Sequence, residues 1–195
     1  MILLLTSNKE MLLQTILSRC VVMDLAPVRA DKIEEYLKQR ERIVDYRARE
    51  AAAFAGGNIG KAKEMCASDD FFAFKEEVLR MAKNTCYMNV ADMTAYVKEM
   101  AKKYKENIGN YLNLLELWYR DVLIYKVSQN YKELLFQKEE KVIQEQAEKL
   151  QYQGIEKILE SIDKVRFQIK SNVNFELALE MMFINIRDSF AYGGR

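Results

Sequence analysis

The chain has 195 residues, 50% of them hydrophobic and 30% charged, with a formal net charge of +1. That composition is globular rather than disordered. The near balance of acidic and basic residues on both sides of Ser68 excludes the basic body of a stand-alone nucleic-acid binder.

One Pro and seven Gly leave few breakers, so long helices are expected. The chain has no His, and Cys20, Cys66 and Cys86 show neither metal-ligand spacing nor a disulfide framework. A soluble protein of the reducing cytoplasm is expected, with no metal. The opening Met1-Ile2-Leu3-Leu4-Leu5 is too short and lacks the basic flank of a signal segment. No stretch reaches the roughly 18 apolar residues that a membrane span needs.

In chain order, the apolar run 2–5 ends in Thr6-Ser7-Asn8 and reads as a buried strand entering a polar turn. Met11, Leu12, Leu13 and Ile16 put one apolar face on a short helix between Lys9 and Leu17. Cys20 to Leu25 reads as a second strand, closed by Pro27. Two strands without pairing partners suggest a piece of a longer α/β unit.

Beyond Pro27 the pattern is helical. Ile33, Tyr36 and Leu37 mark one helix, and Ala48, Ala51, Ala52 and Ala55 mark a second. Gly56-Gly57-Asn58 breaks it, and Ile59, Ala62, Met65 and Cys66 mark a third. From Phe71 the helical spacing recurs in roughly six blocks. Asn89 with Asp92 resembles a capping arrangement for the helix of Met93, Tyr96, Val97 and Met100. The block from Tyr111 to Phe136 is apolar nearly all round, as a helix buried on several faces must be. Ile155, Ile158, Leu159, Ile162, Val165 and Ile169 form a single stripe, and a broadly apolar block runs from Phe175 to Phe190.

Three segments carry more than periodicity. Thr6-Ser7-Asn8, Leu12-Leu13, Thr15-Ile16 and Ser18-Arg19-Cys20 follow one another at the amino end. Gly57-Asn58-Ile59-Gly60-Lys61-Ala62 opens the third helix. Leu117-Trp118-Tyr119-Arg120-Asp121-Val122-Leu123 and Asn172-Val173-Asn174 with Leu177-Ala178-Leu179-Glu180 lie in the last part. Gly56-x-x-x-Gly60-Lys61-Ala62 superficially resembles a P-loop. It is one residue short, follows an Ala-rich helix rather than a strand, and Ala62 lacks the hydroxyl that Mg²⁺ needs.

Together these segments resemble clamp-loader subunits of the AAA+ superfamily, a pattern shared by replication factor C and the bacterial polymerase III loaders. The resemblance covers essentially the whole chain. It implies a mainly α fold: a remnant strand-helix-strand of an AAA+ core (1–27), a three-helix lid (28–68) and a roughly six-helix collar bundle (69–195). It also implies that Thr6, Ser7 and Asn8 form the sensor 1 turn and that Arg19 is an arginine finger reaching a neighbour's ATP. The chemistry suits the residue, since a permanently charged guanidinium stabilises a phosphoryl transition state without proton transfer.

Gly60 falls where ATP-binding members carry the sensor 2 arginine, and a glycine has no side chain to offer a phosphate. That departure points to the kind of loader protein that has no working ATP site. A one-residue shift would put Lys61 near the position instead. Trp118, Tyr119 and Arg120 are candidates for the collar interface, with Trp118 also read as core packing and Arg120 and Asp121 as ion-pair formers at a surface or interface. Asn174 is the expected cap of the last helix.

The resemblance implies no enzyme activity by the chain alone and no cofactor of its own, ATP and Mg²⁺ being bound by neighbouring subunits. Its implied partners are the gamma/tau ATPase and delta subunits, with the sliding clamp and primed DNA reached through the complex. A gamma-type ATPase cut before its P-loop and a helical interaction adaptor are the competing readings.

Overall fold

The computed structural model describes residues 2–6, 9, 12–170 and 174–191. Among these residues all regular structure is helical. The α-helices are α1 (Gln14–Leu17), α2 (Ala30–Gln39), α3 (Asp45–Phe54), α4 (Ile59–Ala67), α5 (Asp69–Asn84), α6 (Val90–Lys103), α7 (Ile108–Ser128), α8 (Glu140–Lys149), α9 (Tyr152–Lys170) and α10 (Phe175–Ala191).

The expected strands at 2–5 and 20–25 do not form. Among the described residues of 2–29, hereafter the arm, the one α-helix is α1, Lys9 lies in a 3-10 turn, and no ladder forms. Leu5, Val21 and Leu25 are 93%, 93% and 87% exposed. The physical reason is plain: a strand is stabilised by sheet neighbours, and two short segments alone cannot supply them. A Lys9–Asp24 ion pair at 3.2 Å bridges the two ends of the arm at its surface.

Pro27 and Val28 dock the arm on the turn between α3 and α4. Val28 N–H donates to the Gly57 carbonyl at 3.1 Å. Gly57 has φ +90°, and a Cβ there would stand 2.3 Å from the Cβ of Pro27. Both the left-handed backbone and the close approach therefore require glycine.

The three helices expected between Pro27 and Ser68 are α2, α3 and α4, which pack on one another. Ile33 and Leu37 of α2, the four alanines of α3 and its C-terminal turn, and Ala62, Met65 and Cys66 of α4 are buried where they meet. Small side chains on α3 let its neighbours approach closely. Asn58 caps α4, its side chain accepting from Lys61 N–H at 3.0 Å, and Ser68 does the same for α5 through Phe71 N–H.

Helices α5–α10 form the larger bundle around α7. Along α7, Tyr111, Leu112, Leu114, Leu115, Trp118, Tyr119 and Val122 are essentially without exposure, and the helix packs against α5, α8, α9 and α3. Each such burial contributes about 1.5–3 kcal/mol, so this one helix supplies much of the core. Asn89 caps α6 as expected, accepting from Asp92 N–H at 2.8 Å and donating to its carboxylate at 2.7 Å. Asn174 caps α10 by accepting from Leu177 N–H at 3.1 Å. The α9 stripe faces inward, and α9 and α10 pair along their lengths.

The apolar block Tyr111–Phe136 is not one continuous helix. Instead α7 stops at Ser128, Gln129 turns left-handed at φ 54°, and the chain folds back over α7 before α8.

Candidate functional site

Arg19 lies in the turn that follows α1. Its side chain is exposed and makes no ion pair or hydrogen bond among the described residues. The turn is built by Ile16 and Leu17 carbonyls accepting from Arg19 and Cys20 N–H groups, with Ser18 Oγ donating to Thr15 O at 3.2 Å. A guanidinium presented this way is free to reach a group outside the chain. Thr6 is exposed on the same arm, and Cys20 is an exposed free thiol. Ser7 and Asn8, the rest of the expected sensor 1 turn, lie outside the described residues, as do Asn172 and Val173.

Gly60 sits exposed in the first turn of α4 and carries no side chain into the space around it. Lys61, the neighbour that a shifted alignment would favour, is committed elsewhere. Its ammonium donates to Asn110 Oδ1 at 3.2 Å and rides 5.1 Å from the Phe54 ring centroid, tying α4 to α7. The glycine-rich turn before α4 follows helix α3, unlike the strand-to-helix loop of a P-loop.

The collar candidates divide. Trp118 and Tyr119 are fully buried within the chain, so neither presents surface to a partner, and only Arg120 is exposed. The reason lies in helical geometry: α7 is wrapped on nearly every side by its own bundle. Trp118 Nε1–H donates to Gln146 Oε1 at 2.9 Å, and Gln146 Nε2–H donates onward to the Ala82 carbonyl at 3.0 Å. This buried relay links α7, α8 and α5. The Tyr119 hydroxyl is buried with no hydrogen-bond partner among the described residues.

Asp121 is not a surface ion-pair former but a buried carboxylate. It accepts from Phe136 N–H at 2.8 Å, and Arg120 approaches its other oxygen at 3.4 Å. Burial pushes its pKa up to about 6, against the pull of the Phe136 N–H and the Arg120 charge. Its place was legible, because Leu114, Trp118, Asp121 and Tyr125 follow one helical stripe.

A raised native pKa means that the folded chain takes up this proton more readily than the unfolded one. The favourable contribution is therefore complete below the unfolded value near 4 and lost as pH rises through about 6. Relative to Asp121→Asn, the wild-type chain should gain about 1 kcal/mol of unfolding free energy between about pH 7 and pH 5. Urea titrations of both proteins at the two pH values measure the difference, and a gain of the opposite sign would refute the assignment.

A second charged site also escaped sequence reading. Lys75 of α5 donates to Glu50 of α3 at 2.9 Å, and both side chains are about one-tenth exposed. Burial works against the Lys75 charge, yet Glu50 and Glu76 together more than compensate and hold the ammonium above its ordinary range. The signal was present on α5, where Phe71, Lys75, Val78 and Ala82 share one stripe. Among the described residues no helix is long and apolar enough to cross a membrane, and no cluster of metal-ligating side chains appears.

Residues 82–188 match the family described as DNA polymerase III, delta subunit, C terminal. The chain is also similar to the DNA polymerase III subunit delta' of Bacillus subtilis (strain 168), with 25% identity over 194 residues. That alignment covers 96% of this chain and 57% of the relative, so the chain spans a little over half the relative's length. The matched span runs from the end of α5 to the last turns of α10 and contains the Trp118 relay, the buried Asp121 and the central helix α7. With more than half of its residues in that match, the chain belongs to the family defined by the C-terminal part of the DNA polymerase III delta subunit.

Proposed function

We propose that this chain is part of a non-ATPase, delta'-type subunit of a replicative clamp loader. It assembles with ATP-hydrolysing subunits and lends Arg19 to ATP held by a neighbour. The observation that carries this reading is the exposed guanidinium on the turn after α1, without a partner among the described residues, set in the Ser18-Arg19-Cys20 segment of a chain similar to subunit delta'. In this reading the arm is the end of an AAA+ core, and its exposed apolar side chains belong to strand faces completed by the rest of that core. Helices α2–α4 are then the lid, and α5–α10 the collar through which subunits join.

The same reading leaves nucleotide chemistry to the neighbours. Gly60 supplies no cation at the N-terminus of α4, and Lys61 is held by Asn110. ATP and Mg²⁺ are therefore assigned to gamma/tau-type partners, with a delta-type subunit, the sliding clamp and primed DNA completing the assembly. The exposed Arg120, beside the buried Asp121, is the remaining collar-surface candidate.

The test uses the full-length protein reconstituted with its loader subunits, clamp and primed DNA. Arg19→Ala should slow hydrolysis about 10³-fold at the single site that Arg19 serves, with a smaller fall in total turnover. Assembly, followed by size-exclusion chromatography, should be unaffected. Unchanged turnover in an intact complex would remove the finger and leave only a scaffolding role.

A further inference from the structure

The segment between α7 and α8 is too well anchored for a simple connection. Leu134, Leu135 and Phe136 are buried although none of them lies in a helix. The Phe136 ring lies 6.0 Å from the Trp118 ring, and its N–H is satisfied by the Asp121 carboxylate of α7. Glu139 pairs with Lys83 of α5 at 2.7 Å. On its other side the segment meets the three-helix unit. Lys138 sits 3.7 Å from the Tyr46 ring centroid at the start of α3. Leu135 and Lys138 line a crevice with Glu34, Tyr46 and Arg49 of α2 and α3.

We propose that residues 129–139 form a strap that ties α3 to α7, so that the seating of the α2–α4 unit on the bundle is set from Asp121. Asp121 makes its hydrogen bonds to the strap and to Arg120, and among the described residues none goes to α2, α3 or α4. Its hydrogen-bonded route to α3 therefore runs through the strap, beside the direct packing of α7 on α3. The Phe136 N–H is buried in apolar surroundings, where loss of a charged acceptor leaves it without a partner. Released there, Leu135 and Lys138 leave their places beside α3.

Hydrogen–deuterium exchange on the full chain tests this, with α9 amides as the internal reference for global opening. Asp121→Ala should speed exchange in the strap and in the first turns of α3 about tenfold relative to α9. Lys138→Ala, a surface change that leaves the core intact, should speed exchange in α3 while the strap keeps its Asp121 anchor and its wild-type rate. Faster exchange in the strap with α3 unchanged would overturn the proposal. So would a rise of equal size in α3 and α9 in both variants, because opening would then be global.

Discussion

Lys75→Ala should destabilise the protein by about 3–5 kcal/mol, although it removes a lysine. The ammonium lies between α3 and α5, donating to Glu50 at 2.9 Å and reaching Glu76 at 3.1 Å. Glu76 is largely exposed and can turn to water, but Glu50 cannot. Its carboxylate would be left about nine-tenths buried with its hydrogen-bonded counter-charge gone, in a crevice that Arg47 and Lys138 also line. The double variant Glu50→Gln with Lys75→Met removes both charges at similar volume and should recover most of the lost stability. Urea denaturation followed by circular dichroism gives all three values. A single-variant loss below about 1 kcal/mol would mean that the pair behaves as a solvent-screened surface contact.

Trp118→Ala should be comparably damaging, with an expected loss of about 3–5 kcal/mol. Two effects add. The indole fills the centre of the bundle against Phe136, and its removal opens a cavity that the surrounding helices can only partly close. The Nε1–H is also the donor that satisfies Gln146 Oε1, so truncation leaves a buried amide half-bonded. Trp118→Phe separates the two, keeping much of the volume and losing the hydrogen bond, and should cost about 1–3 kcal/mol. Gln146→Ala breaks the same relay from α8 and also strips the Ala82 carbonyl of its donor. If Trp118→Phe and Trp118→Ala proved equally costly, the hydrogen bond rather than the packing would be what the indole chiefly supplies.

Much of the helical layout was legible because the stripes are regular. Ile33 and Leu37, the α3 alanines, and Ile155 through Val165 all point inward as their spacing requires. The caps at Asn89 and Asn174 were legible for the same local reason. What failed depends on partners rather than on spacing. The runs at 2–5 and 20–25 have strand composition, but a ladder needs neighbours, and both runs remain exposed without one.

The end of α7 is hidden in the sequence because no Gly or Pro marks it. The left-handed residue is Gln129, and the following apolar residues continue the pattern while the backbone reverses. Within the site, Arg19 is exposed, and its proposed reach to a neighbour rests on the turnover test. By contrast, the interface reading of Trp118 and Tyr119 does not survive their burial. Polar residues inside apolar stripes, Lys75 and Asp121, are the informative exceptions, and reading them as surface charges conceals two buried contacts.

Trp118 is the chain's only tryptophan, and it is shut away from solvent against Phe136 and Gln146. The chain thus carries a single indole, which can be excited apart from its eleven tyrosines, at the point where α7, α8 and the strap converge. Its emission belongs to one environment, free of contributions from a second indole. A red shift signals water entering that junction, and a change in quenching reports a change in Gln146 or Phe136. Motions of the strap can thus be followed optically in the unlabelled protein, alone or within an assembly whose other members are free of tryptophan.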